Sequence, residues 1–207
     1  MKLNKVLALA LSGVMAVSML AGCSNNSGNG GQNGEGDVIV TPSTGAAAIL
    51  NNEQDKVEFT NASSSELQQA ATDLMATDLS TSPKYEVLNT GDALYDRLQA
   101  LGVENMTSAW AILGDNIDEE ETKVVTIVFG MSGAYSMDEL VKQIAQNIDD
   151  NANIRDKVVM DSGNGVVRTY SYTGTVSTVT ATSIDGVQSA NYVMVTVTES
   201  VDVQDAV

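Results

Sequence analysis

The chain has 207 residues, 43% of them hydrophobic and only 4% aromatic, with 10 basic and 27 acidic residues and a net charge of −17. Such an acidic chain is a poor partner for nucleic acid, which proteins bind through clustered Lys and Arg. Because the sequence contains no histidine, serine–histidine catalysis, cysteine–histidine catalysis and histidine-liganded zinc are excluded within it.

The N-terminal residues have the three parts of a secretory signal peptide. Lys2 and Lys5 form the charged start, an uncharged and mostly apolar run follows over 6–22, and small residues end that run. The run is shorter than the roughly 20 residues that a membrane-spanning helix needs. A polar stretch follows it where a basic flank would be expected for a spanning helix. We therefore expect residues 1–22 to be a cleaved signal peptide.

Cys23, the single cysteine of the chain, stands directly after this run. The sequence Leu20-Ala21-Gly22-Cys23 resembles the lipobox of bacterial lipoproteins. The resemblance implies that the Cys23 thiol receives a diacylglyceryl group and that Cys23 becomes the mature N-terminus. It also implies an extracytoplasmic protein held on a cell membrane by lipid, at the bacterial cell surface or in the periplasm. The alternative is a chance cysteine in an ordinary signal peptide.

Residues 24–45 are dominated by Gly, Asn and Ser and show no apolar period. This composition is typical of a flexible linker, with a root-mean-square span of about 25 Å. We therefore interpret 23–45 as the lipidated cysteine and its tether. The short "VIV" at 38–40 has an alternative interpretation as an edge strand. Residues 46–207 are expected to form a single domain.

The apolar patterns after residue 46 predict helices and strands in mixed order. "AAAILNNEQ" favours a helical turn and "KVEF" a strand. Ser63 and Glu66 form a capping box before a helix predicted over 64–79. The next predicted elements are a strand at 84–88, a helix at 92–101 that ends before Gly102, and an antiparallel hairpin of strands at 106–113 and 123–129.

The second half begins with the strongest helical pattern in the chain. Ser136 and Glu139 form another capping box, and apolar residues recur at helical spacing from 137 to 148. Asn164-Gly165 and Asp185-Gly186 then predict turns between alternating strands that extend to residue 200. We expect an α+β fold in which helices pack on one face of an antiparallel sheet, with a β-rich C-terminal third. The predicted α-β-β-α-β order of 92–160 is similar to part of a ferredoxin-like fold.

The strongest cluster of charge is the loop "GDNIDEEET" at 114–122. Calcium binds six to eight oxygen atoms, and carboxylates on one loop supply several of them. The spacing differs from that of an EF-hand, because Glu120 occupies the position where that loop needs glycine. A solvated hairpin tip that discourages aggregation is the alternative interpretation. The candidate ligands for a metal ion such as Ca²⁺ are Asp115, Asp118, Glu119, Glu120 and Glu121.

Two further segments invite a chemical interpretation. Ser132 in "FGMSGAYS" lies between a predicted strand and a predicted helix, as the serine of a nucleophile elbow does. Ala134 stands where that motif has its second glycine, and no histidine is present to activate the serine, so we expect a turn or cap role. "DSGNG" at 161–165 offers Asp161 and Asn164 to a metal, although a hairpin turn already explains Asn164 and Gly165.

No motif in the sequence identifies a reaction. We expect a non-catalytic lipoprotein whose domain binds or scaffolds an envelope protein or ligand of unknown identity. Its partners would be the membrane, through the lipid on Cys23, and that component; no cofactor beyond the lipid is expected. The alternative function is an accessory lipoprotein that binds a metal (Ca²⁺) or a small ligand. A hydrolase is disfavoured by the small size of the domain and its few aromatic residues.

Overall fold

The computed structural model describes residues 38–80, 82–110, 113, 122–150, 154, 158–161 and 165–205. The strands in this part of the chain are β1 Val38–Ser43, β2 Glu58–Asn61, β3 Glu86–Val87, β4 Thr122–Ser132, β5 Val158–Asp161, β6 Val166–Ser183 and β7 Ser189–Asp205. The helices are α1 Ala46–Glu53, α2 Ser65–Thr72, α3 Ala93–Ala100 and α4 Met137–Asp149, with a 3₁₀ turn at Ala76–Asp78. The α+β class and the β-rich C-terminal third are therefore confirmed.

All seven strands belong to one sheet, in the order β1-β6-β7-β4-β3, with β2 and β5 also paired to β6. β6 and β7 are antiparallel along almost their whole lengths, from Val166 opposite Asp205 to Thr182 opposite Ser189. The other edge of β6 is shared in turn by β5, β2 and β1. β2 runs parallel to β6, and the remaining strand pairs are antiparallel. β6 is therefore the strand on which most of the sheet assembles.

The turn between β6 and β7 is held by the side chain of Asp185. Its Oδ1 accepts hydrogen bonds from the Ser183 hydroxyl at 2.6 Å and from the Val187 N–H at 3.0 Å. The same two groups, the hydroxyl first, lower the pKa of Asp185. Gly186 follows with φ of 72°, a conformation that glycine adopts without steric cost. The predicted turn at Asp185-Gly186 is confirmed.

Helices cover both faces of the sheet, whereas the sequence predicted helices on one face. α1 and α4 share a core with one face of the central strands; its strand residues include Val125, Ile127, Phe129, Tyr170, Tyr172, Val193, Val195 and Val197. α2 and α3 share a second core with strand residues of the other parity, among them Val128, Val179, Ala181 and Tyr192. Successive side chains of a strand point to opposite faces, so these are two separate layers. The unbroken burial of β4 from Val125 to Met131 is what a strand covered on both sides requires.

α4 is the helix that the sequence predicted best. The Ser136 Oγ accepts from the Glu139 N–H at 3.2 Å, and five apolar side chains of the helix are buried. α2 begins one residue later than predicted, because Ser64 and not Ser63 is the N-cap, with its Oγ accepting from the Leu67 N–H at 3.0 Å. α2 also ends at Thr72, well before the predicted residue 79. The chain continues into the 3₁₀ turn, where the Asp78 carboxylate accepts from the Met75 N–H.

The predicted strand at 106–113 is wrong for the residues that the structure describes. Met106 forms a single bridge with Thr126, and the Leu113 N–H donates to the Trp110 carbonyl at 2.9 Å, which makes a turn. The Trp110 side chain explains the difference, because its Nε1 donates to Asn147 of α4 at 2.6 Å. The apolar residues that predicted a strand at 106–113 are therefore explained by burial of this ring and not by strand pairing. The described elements over 92–161 therefore have the order α-β-α-β, without the ferredoxin-like hairpin.

The folded part of the chain begins before residue 46. Val38–Ser43 form β1, which pairs antiparallel with β6, so the edge strand left open for "VIV" is present. Val38 is buried in the second core. The tether predicted over 23–45 is therefore too long at its C-terminal end, since β-branched residues in "VIVT" found a sheet edge to pair with.

Gly174 provides a test of the packing of β2 on β6. It lies opposite Phe59 of β2, and a Cβ added at Gly174 would overlap the Phe59 ring. We expect Gly174→Ala to lower the free energy of unfolding by about 1–3 kcal/mol, the usual cost of overpacking, and to lower the urea midpoint. Thr175→Ala, at the neighbouring exposed position, is the control and should change stability by only about 0.5 kcal/mol. Equal midpoints for the two variants would contradict this packing.

Candidate functional site

A cleft of about 470 Å³ opens beside α3, between the second helical layer and the edge of the sheet. Its wall is formed by the 3₁₀ turn and the chain after it, by β3, by the start of α3 and by one side chain of β7. Its polar groups come from Asp78, Ser80, Ser82, Glu86, Asp92 and Tyr192. Segments distant in the sequence therefore contribute to one polar surface.

Tyr192 forms the inner wall of this cleft. Its partner on β4 is Gly130, and a Cβ at that position would approach the tyrosine ring to 3.2 Å. The glycine leaves space for the ring. Only 2% of the Tyr192 surface is exposed. The Tyr192 hydroxyl oxygen accepts from the Ser80 N–H at 3.4 Å.

The pKa of Tyr192 is well above its ordinary value. Burial is the main cause and raises the pKa to about 12. The hydrogen bond from the Ser80 N–H lowers the pKa, and the carboxylates of Asp78 and Asp92, with smaller effects, raise it. The side chain is therefore a neutral hydroxyl at physiological pH, able to donate as well as accept a hydrogen bond.

Ser80 contributes an unusual hydroxyl to the same wall. Its Oγ is the one buried side-chain nitrogen or oxygen, among the residues that the structure describes, that lacks a hydrogen-bond partner. Buried polar atoms nearly always have a partner, because leaving one unpaired costs about 1–3 kcal/mol. The Ser80 hydroxyl therefore has hydrogen-bonding capacity that no described residue uses.

The rim of the cleft is acidic. Asp92 Oδ2 accepts from the Asn89 N–H at 2.8 Å, and Asp78 Oδ2 accepts from the Met75 N–H at 3.2 Å. These two carboxylates thus shape the backbone of the rim. Glu86 adds an exposed third carboxylate, and the lining contains no Lys or Arg. The potential of such a cleft attracts cations and repels anions.

The site residues predicted from the sequence lie elsewhere. Cys23 and the acidic loop with Asp115, Asp118, Glu119, Glu120 and Glu121 fall outside the described residues, so the lipid site and the calcium site stay predictions. Within the described ranges, no three acidic or cysteine side chains are close enough to hold a metal ion.

Ser132 and the "DSGNG" turn have structural roles. The Ser132 Oγ accepts from the Ala134 N–H at 3.3 Å, so the expected turn role is confirmed. Asp161 ends β5 and Gly165, with φ of 66°, precedes β6, which agrees with the hairpin predicted there. Asn164 and the side chain of Asp161 lie outside the described part.

Glu199 is a buried carboxylate that no local sequence pattern distinguishes. It has no exposed surface, and its Oε1 accepts from the Tyr172 hydroxyl at 3.2 Å. Its cross-strand neighbours are Tyr172 on β6 and Lys123 on β4. A carboxyl group buried in this way is retained only with partners, and Glu199 lies on the strand face beneath the first helical layer.

Comparison with known proteins identifies no relative. The chain matches no protein family, no curated protein and no solved structure. Within the described residues, no helix combines the length and apolar character that crossing a bilayer requires. The residues of the cleft were also missed by sequence reasoning, because nothing in the local pattern distinguishes Tyr192 or Ser80 from ordinary strand and loop residues.

The raised pKa of Tyr192 predicts a loss of stability at alkaline pH. As the pH rises, the unfolded chain loses this proton near pH 10, before the folded chain does at about 12. The stabilisation is complete below about pH 10 and is lost as the pH approaches 12. We expect the urea midpoint to fall more steeply between about pH 9 and 11.5 in the natural protein than in Tyr192→Phe. Identical pH profiles of the two proteins would contradict the assignment.

Proposed function

We propose that the protein is a membrane-anchored extracytoplasmic lipoprotein whose domain acts by binding or scaffolding rather than by catalysis. The observation that carries this proposal is the sequence Leu20-Ala21-Gly22-Cys23. It stands at the end of an apolar segment that is preceded by positively charged residues. The order of small residues before the single cysteine is that of the lipobox, and the cysteine is the residue that receives the diacylglyceryl group.

The chemistry of the chain is consistent with this attachment. A diacylglyceryl cysteine carries two acyl chains, which hold a protein on a bilayer where a single chain would not. The acidic body that remains after removal of Lys2 and Lys5 with the signal peptide has 27 acidic and 8 basic residues and is repelled by anionic lipids. Attachment must therefore come from apolar material, which the lipid on Cys23 supplies. The thiol has no second cysteine with which to form a disulfide within the chain.

The position of β1 supports attachment through the preceding segment. β1 lies at the edge of the sheet and pairs with a single neighbour, β6. The first described residues of the chain therefore belong to a strand at the margin of the sheet. The lack of histidine removes the commonest general base and favours a binding role for the domain.

A small cationic ligand is a second candidate, because the cleft beside α3 favours it. Three carboxylates surround the cleft, and the buried hydroxyls of Ser80 and Tyr192 line its inner wall. An organic ammonium group fits this combination, since it donates hydrogen bonds and carries the complementary charge. The domain would then be the binding part of an accessory lipoprotein.

Replacing the lipidated cysteine tests the main proposal. We expect Cys23→Ser to abolish incorporation of labelled palmitate, because serine lacks the thiol that forms the thioether. The protein should also partition less into the detergent phase, since it would lack the two acyl chains. Ser24→Ala changes the adjacent residue and should retain both the label and the partitioning. A Cys23→Ser protein that keeps its lipid label would refute the lipoprotein assignment.

Spermidine is a suitable probe for the acidic cleft. We expect it to raise the thermal midpoint of the natural protein, because it binds the folded state and not the unfolded chain. Glu86→Gln removes an exposed carboxylate of the rim and should reduce the shift severalfold at low salt. Glu104→Gln, an exposed carboxylate outside the cleft, is the matched control and should retain it. Equal shifts in the two variants would show that the polyamine binds the acidic body without using the cleft.

A further inference from the structure

Exposed apolar side chains are concentrated at one end of the sheet. Of the six large hydrophobic residues that are exposed in the described part of the chain, four lie there; they are Ile39, Tyr135, Ile184 and Val187. Ile184 and Val187 are the most exposed of the six, at 67% and 78%. We call these four residues the hairpin end. Single exposed hydrophobics are ordinary on protein surfaces, whereas a group of them marks an interaction site.

The pairing of the strands brings these side chains together. Ile184 and Val187 flank the turn between β6 and β7, and Ile39 of β1 is opposite Thr182, near the end of β6. Tyr135 reaches the same end from the loop after β4, because its carbonyl accepts from Asn191 Nδ2 at 2.8 Å. Three separate parts of the chain therefore place exposed apolar residues at this end of the sheet.

The opposite end of the sheet has a different character. There the strand face left uncovered by α2 and α3 carries hydroxyl groups, from Thr60, Thr173, Thr175, Thr196 and Thr198. Threonine hydroxyls face water on an uncovered sheet without cost. The apolar surface at the hairpin end is thus a local feature of the molecule and not a general property of its sheet.

The turn at the hairpin end carries one carboxylate, which is exposed and hydrogen-bonded within the turn. Asp185 lies between Ile184 and Val187 in the sequence, and its Oδ1 is held by the Ser183 hydroxyl and the Val187 N–H. Ile184 and Val187 therefore flank a carboxylate whose Oδ1 is used in closing the turn. Tyr135 adds an aromatic ring with a polar hydroxyl, the kind of side chain that is enriched where protein meets the headgroups of a bilayer.

The route of the chain indicates what this surface contacts. The described domain begins at Val38, which pairs with Ser183 directly beside the turn. The segment that leads back from Val38 to Cys23 spans at most about 50 Å even when fully extended at ~3.5 Å per residue. A lipid on Cys23 therefore keeps the bilayer permanently within reach of this end, and a weak contact benefits from that high effective concentration.

We propose that the hairpin end docks on the membrane that carries the lipid anchor, with Ile184, Val187 and Tyr135 entering the boundary between headgroups and acyl chains. This inference rests on the proposed lipoprotein function. Docking orients the domain, so that the threonine-bearing end of the sheet faces away from the membrane. The partner is the bilayer itself, and the contact adds to the lipid anchor without replacing it.

Site-specific fluorescence on the lipidated mature protein tests this orientation. Val187→Cys and Val124→Cys are each labelled with an NBD maleimide and reconstituted in phosphatidylcholine vesicles. Val124 is an exposed residue of β4 near the opposite end of the sheet, about 30 Å away along β7, and is the matched control. We expect the label at position 187 to show a blue shift, a severalfold rise in emission and quenching by spin-labelled lipids, while the label at position 124 stays in water.

Three outcomes separate this inference from the proposal on which it rests. The parent protein, in which the Cys23 thiol is consumed by lipid, should take no label and should float with the vesicles; a labelled parent refutes the lipoprotein function. If the parent is unlabelled and floats but position 187 stays in water, only the membrane contact is refuted. A blue shift that also occurs without vesicles and grows with protein concentration would assign the surface to a second copy of the chain and would equally overturn the contact.

A second variant links the contact to the apolar side chains. Ile184→Ser combined with Tyr135→Ser removes two members of the hairpin end, and both residues are exposed, so the fold should tolerate the change. We expect the label at position 187 to lose most of its blue shift and lipid quenching in this background. Retention of both signals would show that the anchor alone, and not the apolar surface, holds this end near the bilayer.

Discussion

The pairing of β6 with β7 is the constraint on which the rest of the structure depends. The two strands are in register from Val166 opposite Asp205 to Thr182 opposite Ser189, and every other strand joins the sheet through one of them or through β4. A shift of one residue would move each side chain to the opposite face. The Asp185 carboxylate and Gly186 close the turn in one geometry, which sets this register and with it both cores.

Burial on both faces follows from that register and creates the acidic cleft. Alternate residues of β4, β6 and β7 contribute to the core beneath α1 and α4 and to the core beneath α2 and α3. Tyr192 belongs to the second core, and the missing side chain of Gly130 allows its ring to extend toward Ser80. The cleft thus lies at the margin of the second helical layer. Its lining combines buried hydroxyl groups with the carboxylates of the rim.

The surface of the domain changes character from one end of the sheet to the other. The hairpin end is apolar and lies where the chain enters from its N-terminal side, while the far end of the uncovered face carries threonine hydroxyls. An acidic body gains nothing from an anionic bilayer surface, so apolar contacts are the means by which such a domain approaches a membrane. An apolar contact at the hairpin end would add to the attachment proposed through the lipid on Cys23.

Local patterns in the sequence determined the elements whose signals are local. The N-cap Ser136 and the apolar period of α4, the turns at Gly165 and Gly186, and the α+β class were predicted correctly, because propensity, capping and turn geometry depend on neighbouring residues. The lipobox prediction likewise depends on a short segment alone. Only the tertiary structure decided that Trp110 bonds to Asn147 instead of joining a strand, that helices cover both faces, and that Tyr192 meets Ser80 across 112 positions of sequence. These contacts depend on which distant surfaces become buried together, and no local pattern of residues encodes that choice.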